Sequence, residues 1–512
     1  MKKTTLLCVL CLGFFSALKA QNPTESLKLD TSKFQVQELT IDGKTIKVRA
    51  FENRMYVSNP VDTAYQKMNI YIPEAYFNNQ TVNGYTAQTA PIFFPNKVGG
   101  YMPAKPATTK DNPMGMRPPI NGEMPTMGNR PPEGLPPMRE RMPSKPLTVV
   151  AALARGYVVA SPGARGRTLK DQNGNFTGKA PAGIVDLKAA VRYLKFNDAV
   201  MPGDANKIIS NGTSAGGAMS TLLGATGEAL DYEPYLNAIG AAKASDAIFA
   251  VSAYCPITNL EQADMTYEWQ FNGINTYKKG GPFAKNNAQP QELTADQIKV
   301  SNELKELFPD YLNSLQLKDK KGNLLSLDKN GNGTFKTLVQ SYVMASAQKA
   351  LDSGVDLSEF PFVKVAQSKV VGLDYEAYLI FIGRQKTPPA FDALDLSSPE
   401  TQLFGTTTID NQHFTPFSKT HSTVTATTAD DQLVKMMNPM HYIGVSGVAT
   451  SKHWRIRHGS NDKDTGLGIS VMLATLLENN NLQVDLALPW QKPHSGDYDL
   501  EELFQWIDGI CK

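Results

Sequence analysis

The sequence has 512 residues, which is long for one compact domain and suits a large domain with an insertion, or two domains. Its 41% hydrophobic and 20% charged residues are typical of a soluble globular protein. The formal net charge is +2, and three of the lysines lie in the first twenty residues, so the charge balance argues against a nucleic acid or an anionic membrane as partner.

The N-terminus has the features of a secretory signal peptide. Two lysines precede a short apolar run from Leu6 to Ala17, and Ala20 is a small residue before an expected cleavage at Gln21. The run is too short to span a membrane comfortably, and neither Cys8 nor Cys11 follows the small residues of a lipid-attachment site. We therefore predict that residues 1–20 are removed and that the protein is secreted or periplasmic.

After cleavage two cysteines remain, Cys255 and Cys511, and both lie in apolar stretches. Two lone cysteines in an exported chain either pair or stay apart as buried thiols. We predict separate thiols, with no disulfide and no zinc site.

The first half of the chain shows the pattern of a sheet protein. The stretch from Gln35 to Tyr76 is β-like, and short apolar runs of the buried-strand type follow it. Helical stretches lie between these runs, and the clearest is Ile184 to Leu194. This alternation predicts an α/β fold with a mostly parallel sheet covered by helices. The expected buried strands are Ala90–Phe94, Tyr157–Ala160, Ile208–Ser210 and Ala247–Ala253.

Residues 103–146 differ in composition from the rest of the chain. They hold twelve of the 33 prolines, together with many methionines, glycines and arginines. Such a stretch cannot bury enough apolar surface to form part of a core. We interpret it as a long flexible surface insertion, with a proline-rich docking motif as the weaker alternative.

The rhythm of strands and helices breaks between residues 258 and 437 and then resumes. The segment is rich in polar helical patches and Gly/Asn turns. We predict one sheet domain formed by residues 21–257 and 438–512, interrupted by a large inserted lid at 258–437. The elements expected after the lid are a strand His453–His458, a helix Leu467–Leu477, a strand Val484–Pro489 and a helix Leu500–Cys511.

A G-x-S-x-G motif at Gly212 to Gly216 follows one of the buried strands and precedes a helical stretch. In this context the motif is the nucleophile turn of an α/β-hydrolase, in which glycines let the serine sit on a tight turn. Ser214 is therefore the predicted nucleophile, and the N–H of Ala215 is a predicted oxyanion donor.

The acid and the base should follow the nucleophile in chain order. Asp462 lies just beyond the first late strand and is the predicted acid, with Asp464 as its rival. His494 follows the second late strand and is the predicted base. A second oxyanion donor is expected at Gly99 or Gly100, which follow an early strand, and spacing does not choose between the two glycines.

These residues predict acyl transfer through an acyl-enzyme. The reaction needs neither a metal nor an organic cofactor. The expected partner is a small-molecule ester, and the sequence gives no oligomeric state.

The chain also resembles the bacterial tannases (tannin acyl hydrolases), with feruloyl esterases as close relatives. The resemblance covers most of the mature chain, and the proline-rich stretch is its main departure. The motifs that carry it are Pro91-Ile-Phe-Phe-Pro-Asn, Val98-Gly-Gly-Tyr-Met-Pro103, Gly212-Thr-Ser-Ala-Gly-Gly217, Asp462-Lys-Asp464 and His494-Ser-Gly-Asp-Tyr-Asp-Leu500.

The resemblance implies a role for the second aspartate and for residues of the lid. In tannases the second Asp of D-x-D binds a galloyl hydroxyl, which would make Asp464 a substrate ligand. A Lys and a Glu of the lid bind the other hydroxyls and would correspond to Lys386 and Glu400. An apolar pair that sandwiches the gallate ring would correspond to Ile257 and Pro399. The implied activity is release of gallic acid from galloyl esters.

Three alternatives share parts of this evidence. A feruloyl or other aryl-ester esterase would use the same triad without the three polar lid contacts. A serine peptidase of the same fold would cleave an aminoacyl-nitroanilide. A non-catalytic surface binding protein would not need Ser214, Asp462 and His494 to be intact.

Overall fold

The computed structural model describes residues 25–41, 43–110, 147–278 and 289–512. The predicted signal peptide and residues 111–146 of the predicted insertion lie outside these ranges. Residues 103–110 are described, and they pack on the core: Ala104 pairs with Ala164, and the Ala107 amide donates to Ser161 Oγ at 2.9 Å.

One large sheet organises the described chain. Nine strands form it, in the order β1-β2-β3-β5-β4-β6-β7-β12-β13, while β8 pairs with β9 and β10 with β11 in two small sheets. The neighbours from β5 to β13 run parallel, and β1 to β3 add to one edge antiparallel. The strands are β1 Gln35–Ile41, β2 Lys44–Met55, β3 Lys67–Pro73, β4 Pro91–Pro95, β5 Val158–Pro162, β6 Asp204–Thr213, β7 Ala250–Tyr254, β8 Thr276–Tyr277, β9 Gln291–Glu292, β10 Val363–Ala366, β11 Lys369–Leu373, β12 His453–Arg457 and β13 Gln483–Ala487.

Central strands of the sheet are buried on both faces. Every residue of β4, β5 and β7 is buried, as their apolar sequences predict, and every residue of β12 is buried as well. Two arginines of β12 are buried with partners: Arg455 Nη1 donates to the Tyr254 hydroxyl at 3.0 Å, and Arg457 pairs with Asp485 at 2.7 Å. The sheet confirms the predicted α/β class.

Helices pack on this sheet, with α3 against β6 and β7 and α12 against β13. None of the helices in the described ranges is both long and apolar enough to cross a membrane. The helices are α1 Thr148–Ala154, α2 Ala182–Phe196, α3 Ala215–Ala225, α4 Glu233–Ala238, α5 Leu260–Phe271, α6 Ala295–Ser314, α7 Thr334–Asp352, α8 Tyr375–Ile382, α9 Pro399–Leu403, α10 Pro416–Thr420, α11 Asp431–Met436, α12 Leu467–Asn479 and α13 Leu500–Cys511.

The chain leaves the sheet after β7 and returns to it at β12. Helices α5 to α11 and the two small sheets lie between these strands in sequence. On its return β12 pairs in parallel with β7, with His453 opposite Ala250. The loops that follow β6, β7, β12 and β13 therefore all lie at the carboxyl ends of the parallel strands, where ligands bind in folds of this kind.

Candidate active site

Ser214 lies on a sharp turn between β6, which ends at Thr213, and α3, which begins at Ala215. Its φ of 60° and ψ of −123° are rare for a residue with a side chain. The Ser214 N–H donates to the Tyr254 carbonyl at 2.9 Å, which fixes the turn against the end of β7. Strain held in this way by the surroundings is typical of a functional turn.

The two glycines of the motif are required by close backbone contacts. A Cβ on Gly212 would lie 2.2 Å from the Gly216 carbonyl oxygen. A Cβ on Gly216 would lie 2.7 Å from the Val98 carbonyl oxygen and 2.8 Å from Asn96 Oδ1. Any side chain at these positions would push the serine turn away from the loop that follows β4.

Asp462 and His494 lie close together in the loops that follow β12 and β13. Asp462 is fully buried, and its Oδ2 lies 2.8 Å from His494 Nδ1. The Asp464 N–H donates to Asp462 Oδ1 at 2.8 Å, so both oxygens of this carboxylate have a partner. Gly496 allows the histidine loop to approach, since a Cβ there would lie 1.9 Å from Thr213 Oγ1.

The buried pair shifts the proton affinity of both groups. Burial raises the pKa of the Asp462 carboxyl, but the charge and hydrogen bond of His494 outweigh this effect and lower the pKa to about 2. Burial also disfavours protonated His494, but the negative charge of Asp462 and its hydrogen bond raise the pKa of this imidazole well above its usual range. The pair thus keeps Asp462 ionised and makes His494 a stronger base.

Ser214 and His494 line the same cleft. Within the described ranges no hydrogen bond joins Ser214 Oγ to the imidazole. Such contacts are often long without substrate and tighten when it binds.

Three other histidines lie outside the cleft, although His458 Nε2 is 3.5 Å from Asp462 Oδ2. His458 directly follows β12 and is fully buried, and its Nδ1 shares a hydrogen bond of 2.8 Å with Ser470 Oγ. His413 Nδ1 lies 2.7 Å from Asp392, and His441 Nε2 lies 2.5 Å from Glu261. None of these three histidines lines the cleft that holds Ser214.

The loop after β4 reaches the cleft with two glycines. Gly99 and Gly100 both line it, and Gly100 has a φ of 54°. Arg167 Nε donates to the Gly100 carbonyl at 2.9 Å, and the Tyr101 hydroxyl donates to the Ile257 carbonyl at 2.7 Å. These bonds hold the loop beside the nucleophile turn.

Lys386, from the segment between β7 and β12, and Asp464, from the loop after β12, line the same cleft. Lys386 Nζ lies 3.2 Å from Asp464 Oδ2, and Gln385 Nε2 donates to Asp464 Oδ1 at 3.2 Å. Asp464 Oδ2 is 3.8 Å from His494 Nε2, the nitrogen opposite the one that faces Asp462. The two aspartates therefore contact opposite sides of the same ring.

Glu400 is buried in the wall of the cleft, at 5% exposure. Burial raises the pKa of its carboxyl, and the charge of Lys386 offsets part of the rise.

Ile257 is also buried in the wall of the cleft, and its N–H donates to the Ser214 carbonyl at 3.3 Å. Pro399 is more exposed and begins α9 beside Glu400. The cleft that these residues line has a volume of about 1970 Å³.

Comparisons with known proteins place this arrangement in a family. The BD-FAE family model matches residues 139–296. None of the curated proteins compared with the chain matches it. Among solved structures, tannin acyl hydrolase from Lactobacillus plantarum is 44% identical with a TM-score of 0.86, and the match covers 95% of this chain and 99% of that chain. The chain belongs to the bacterial tannases.

Further solved relatives agree with this assignment. The tannase of Fusobacterium nucleatum is 50% identical with a TM-score of 0.85, covering 95% of this tannase and 99% of that chain. A tannin acyl hydrolase in complex with ethyl gallate is 44% identical with a TM-score of 0.85, covering 96% of this chain and 100% of that chain. The resemblance to tannases is confirmed, and the protein is a carboxylic ester hydrolase.

Sequence reasoning missed the positions of two residues, Tyr267 and Cys255, at the site of this tannase. The Tyr267 hydroxyl of α5 accepts the N–H groups of Gln385 and Lys386, each at 3.1 Å, and so positions the segment with the cleft lysine. Cys255, predicted as a core thiol, is free and buried as expected, but it lies beside His494. The one sequence signal for this contact is that Cys255 directly follows β7, the strand that pairs with the nucleophile strand β6.

Proposed function

We propose that this tannase hydrolyses galloyl ester bonds of tannins and simple gallates, through a galloyl-enzyme, and releases gallic acid. The observation that carries the proposal is the convergence of three charged side chains, Lys386, Glu400 and Asp464, in the cleft that also holds Ser214 and His494. Relatives have been solved in complex with ethyl gallate and with 3,4-dihydroxybenzoate.

The chemistry of the ring fits these groups. A galloyl ring carries three adjacent hydroxyls, and each can hydrogen-bond one of the charged groups while Ile257 and Pro399 contact the ring faces. An analogue without the hydroxyls would lose these hydrogen bonds, and the buried carboxyl of Glu400 would have no hydroxyl to pair with. Each polar group left unpaired in this way costs about 1 to 3 kcal/mol. The volume of about 1970 Å³ exceeds the roughly 300 to 1000 Å³ of most small-ligand sites. The alcohol part of a large galloyl ester therefore has room.

We propose that the reaction proceeds through Ser214, His494 and Asp462. His494 accepts the Ser214 proton as Oγ attacks the ester carbonyl, while Asp462 orients the imidazole through Nδ1. The N–H of Ala215 and an N–H of the Gly99–Gly100 loop stabilise the tetrahedral oxyanion. The alcohol leaves with the proton from His494, and water then hydrolyses the galloyl-enzyme by the same route.

A substrate comparison tests the proposal. The values of kcat/KM for methyl gallate, methyl ferulate and methyl benzoate are measured at one pH. We expect methyl gallate to exceed methyl benzoate by at least about a hundredfold, because three polar contacts are lost with the hydroxyls. Comparable values for the three esters would refute galloyl specificity, and a preference for methyl ferulate would favour a feruloyl esterase.

We also propose that the protein is exported and cleaved before Gln21, on the basis of its first twenty residues. The protein recovered outside the cytoplasm should begin at Gln21 by intact-mass measurement. A chain that retains residues 1–20 would contradict this.

A further inference from the structure

Cys255 has no part in the acyl-transfer reaction, yet it lies at its centre. It directly follows β7, and its φ of 36° belongs to the left-handed region that side chains rarely adopt. Its N–H donates to the Arg457 carbonyl at 2.6 Å, and its Sγ lies 3.5 Å from the Ser495 carbonyl oxygen. The backbone thus holds the thiol against the loop that carries His494.

The thiol completes a cluster of three groups that can bind metal ions. Cys255 Sγ, a ring nitrogen of His494 and a carboxylate oxygen of Asp462 all lie within 4.8 Å of one another. In the described ranges no second group of three His, Cys, Asp or Glu side chains comes this close. Zinc-ligand distances of about 2.0 to 2.3 Å place tetrahedral ligands roughly 3.5 Å apart, so small side-chain rotations would bring the three atoms to one ion.

The sequence predicts no zinc site, but from this cluster we infer that Cys255, His494 and Asp462 form an inhibitory site for a thiophilic divalent cation such as Zn²⁺ or Cd²⁺. The inference concerns the site of the proposed esterase reaction and rests on the role of His494 in it. Sulfur and imidazole ligands select such cations over Mg²⁺ and Ca²⁺, which prefer oxygen. A cation can reach the site along the exposed edge of the His494 ring, because this side chain keeps 23% of its surface accessible.

Binding is a ligand exchange without oxidation or reduction. The cation replaces the thiol proton and takes the lone pair of an imidazole nitrogen, and every displaced proton goes to solvent. Burial raises the pKa of the Cys255 thiol, so the thiol is protonated in the free enzyme. Once the imidazole lone pair is bound to the cation, His494 no longer accepts the proton of Ser214, and hydrolysis stops.

The test uses the full-length chain with Cys8→Ser and Cys11→Ser, so that Cys255 and Cys511 are the remaining thiols. Cd²⁺ is titrated while two signals are followed: hydrolysis of methyl gallate and the ultraviolet charge-transfer band of the cadmium–thiolate bond. We expect one equivalent of Cd²⁺ to produce the band and abolish hydrolysis together, and a chelator to reverse both. Retention of full activity with one Cd²⁺ bound would overturn the inference.

Two cysteine variants form a matched pair. Cys511→Ser should behave as its parent, because Cys511 lies at the end of α13, outside the cleft. Cys255→Ser should lose the band and need at least about tenfold more Cd²⁺ for half-inhibition. Equal sensitivity of Cys255→Ser and its parent, or loss of the band only in Cys511→Ser, would refute the site.

A histidine variant separates this inference from the proposed function. His494→Ala keeps the thiol and should bind Cd²⁺ at least about tenfold more weakly in the absorbance titration. Unchanged affinity would mean that the thiol acts alone and would overturn the three-ligand assignment. If the parent chain does not hydrolyse galloyl esters, the proposed function fails, while the absorbance titration still decides the metal site.

Discussion

Among single residues, Asp462 has the largest influence on the proposed base. Its carboxylate raises the pKa of His494, and catalysis needs neutral His494, so activity should rise with pH through a pKa above 6.5. Asp462→Asn removes the negative charge and leaves the burial, which favours neutral imidazole. We expect the acid limb of kcat/KM to move to lower pH and its plateau to fall by roughly 10²- to 10⁴-fold. A pH–rate profile with an unmoved acid limb would contradict this assignment.

Lys386 tests recognition separately from chemistry. Lys386→Met removes the cation that lies 3.2 Å from Asp464, and with it the proposed hydrogen-bond donor to the substrate. A hydrogen bond to a charged group contributes about 1.5 to 3 kcal/mol, so kcat/KM for methyl gallate should fall about ten- to a hundredfold, with a smaller change for methyl benzoate. Equal losses on both esters would indicate a role in folding or chemistry.

Lys463→Met is the matched control for this substitution. Lys463 lies between the two aspartates of the motif, but its Nζ lies 3.3 Å from the Ile382 carbonyl oxygen and it does not line the cleft. The selectivity between methyl gallate and methyl benzoate should therefore stay as in the parent enzyme.

The two aspartates show how far residue types alone lead. The sequence favours Asp462 over its rival Asp464 as the group that orients the base, and the resemblance to tannases implies that Asp464 binds the substrate. The structure places Asp462 at 2.8 Å from Nδ1 and Asp464 at 3.8 Å from Nε2. Spacing favoured Asp462 but could not give the direction of either side chain, because the turn between the two residues sets it.

At the scale of elements, the turn after β6 and the loop after β4 form one unit. Gly216→Ala would place a Cβ 2.7 Å from the Val98 carbonyl oxygen and so displace the loop that carries Gly99 and Gly100. Loss of one oxyanion donor costs about 10²- to 10³-fold, and we expect kcat to fall by at least tenfold. Steady-state kinetics and a thermal unfolding curve measure the effect.

Gly509→Ala is the control, because this glycine also lies in a helix and an added Cβ there meets nothing within 4 Å. It should leave kcat unchanged and stabilise the fold by at most about 1 kcal/mol. If Gly216→Ala also kept its full kcat, the close contact with the β4 loop would have no catalytic importance.

Elements with strong local patterns agree closely with their predictions. The last helix was predicted at Leu500–Cys511 and occurs there, and the strand predicted at His453–His458 ends one residue earlier. The small sheets between β7 and β12 were not predicted. Strands β8 to β11 have two to five residues and are mostly exposed, so they have no apolar period that a sequence could reveal.

At the scale of the whole molecule, a buried ion pair ties the inserted segment to the site. Arg384 Nη2 contacts Glu268 of α5, and neither side chain is exposed. Ser301 of α6 donates to the other oxygen of Glu268 at 2.5 Å. Arg384 directly precedes Gln385 and Lys386, which line the cleft, so this ion pair holds the cleft-lining segment against two helices.

Glu268→Gln should therefore affect both stability and substrate binding. It leaves the buried guanidinium of Arg384 without a counter-charge, and such losses cost roughly 3 to 5 kcal/mol of unfolding free energy. Displacement of Lys386 should raise KM for methyl gallate more than it lowers kcat. Denaturant unfolding and steady-state kinetics measure the two effects.

An exposed ion pair provides the comparison. Lys349 and Glu502 lie 3.2 Å apart with 73% and 51% of their side-chain surfaces exposed. Glu502→Gln should change the unfolding free energy by at most about 1 kcal/mol, because solvent screens the pair. A similarly small cost for Glu268→Gln would show that the buried pair does not anchor the inserted segment.

The sequence by itself determined the features that depend on neighbours in the chain. Buried strands are continuous apolar runs, the serine turn needs glycines two residues to either side, and late loops must supply an acid and a base; these local requirements led to Ser214, Asp462 and His494. The contacts of Glu400, Cys255 and Tyr267 were decided only by tertiary structure. The atoms that these residues contact lie far away in sequence. No local sequence pattern distinguishes a charged group or thiol in the cleft from one elsewhere in the protein.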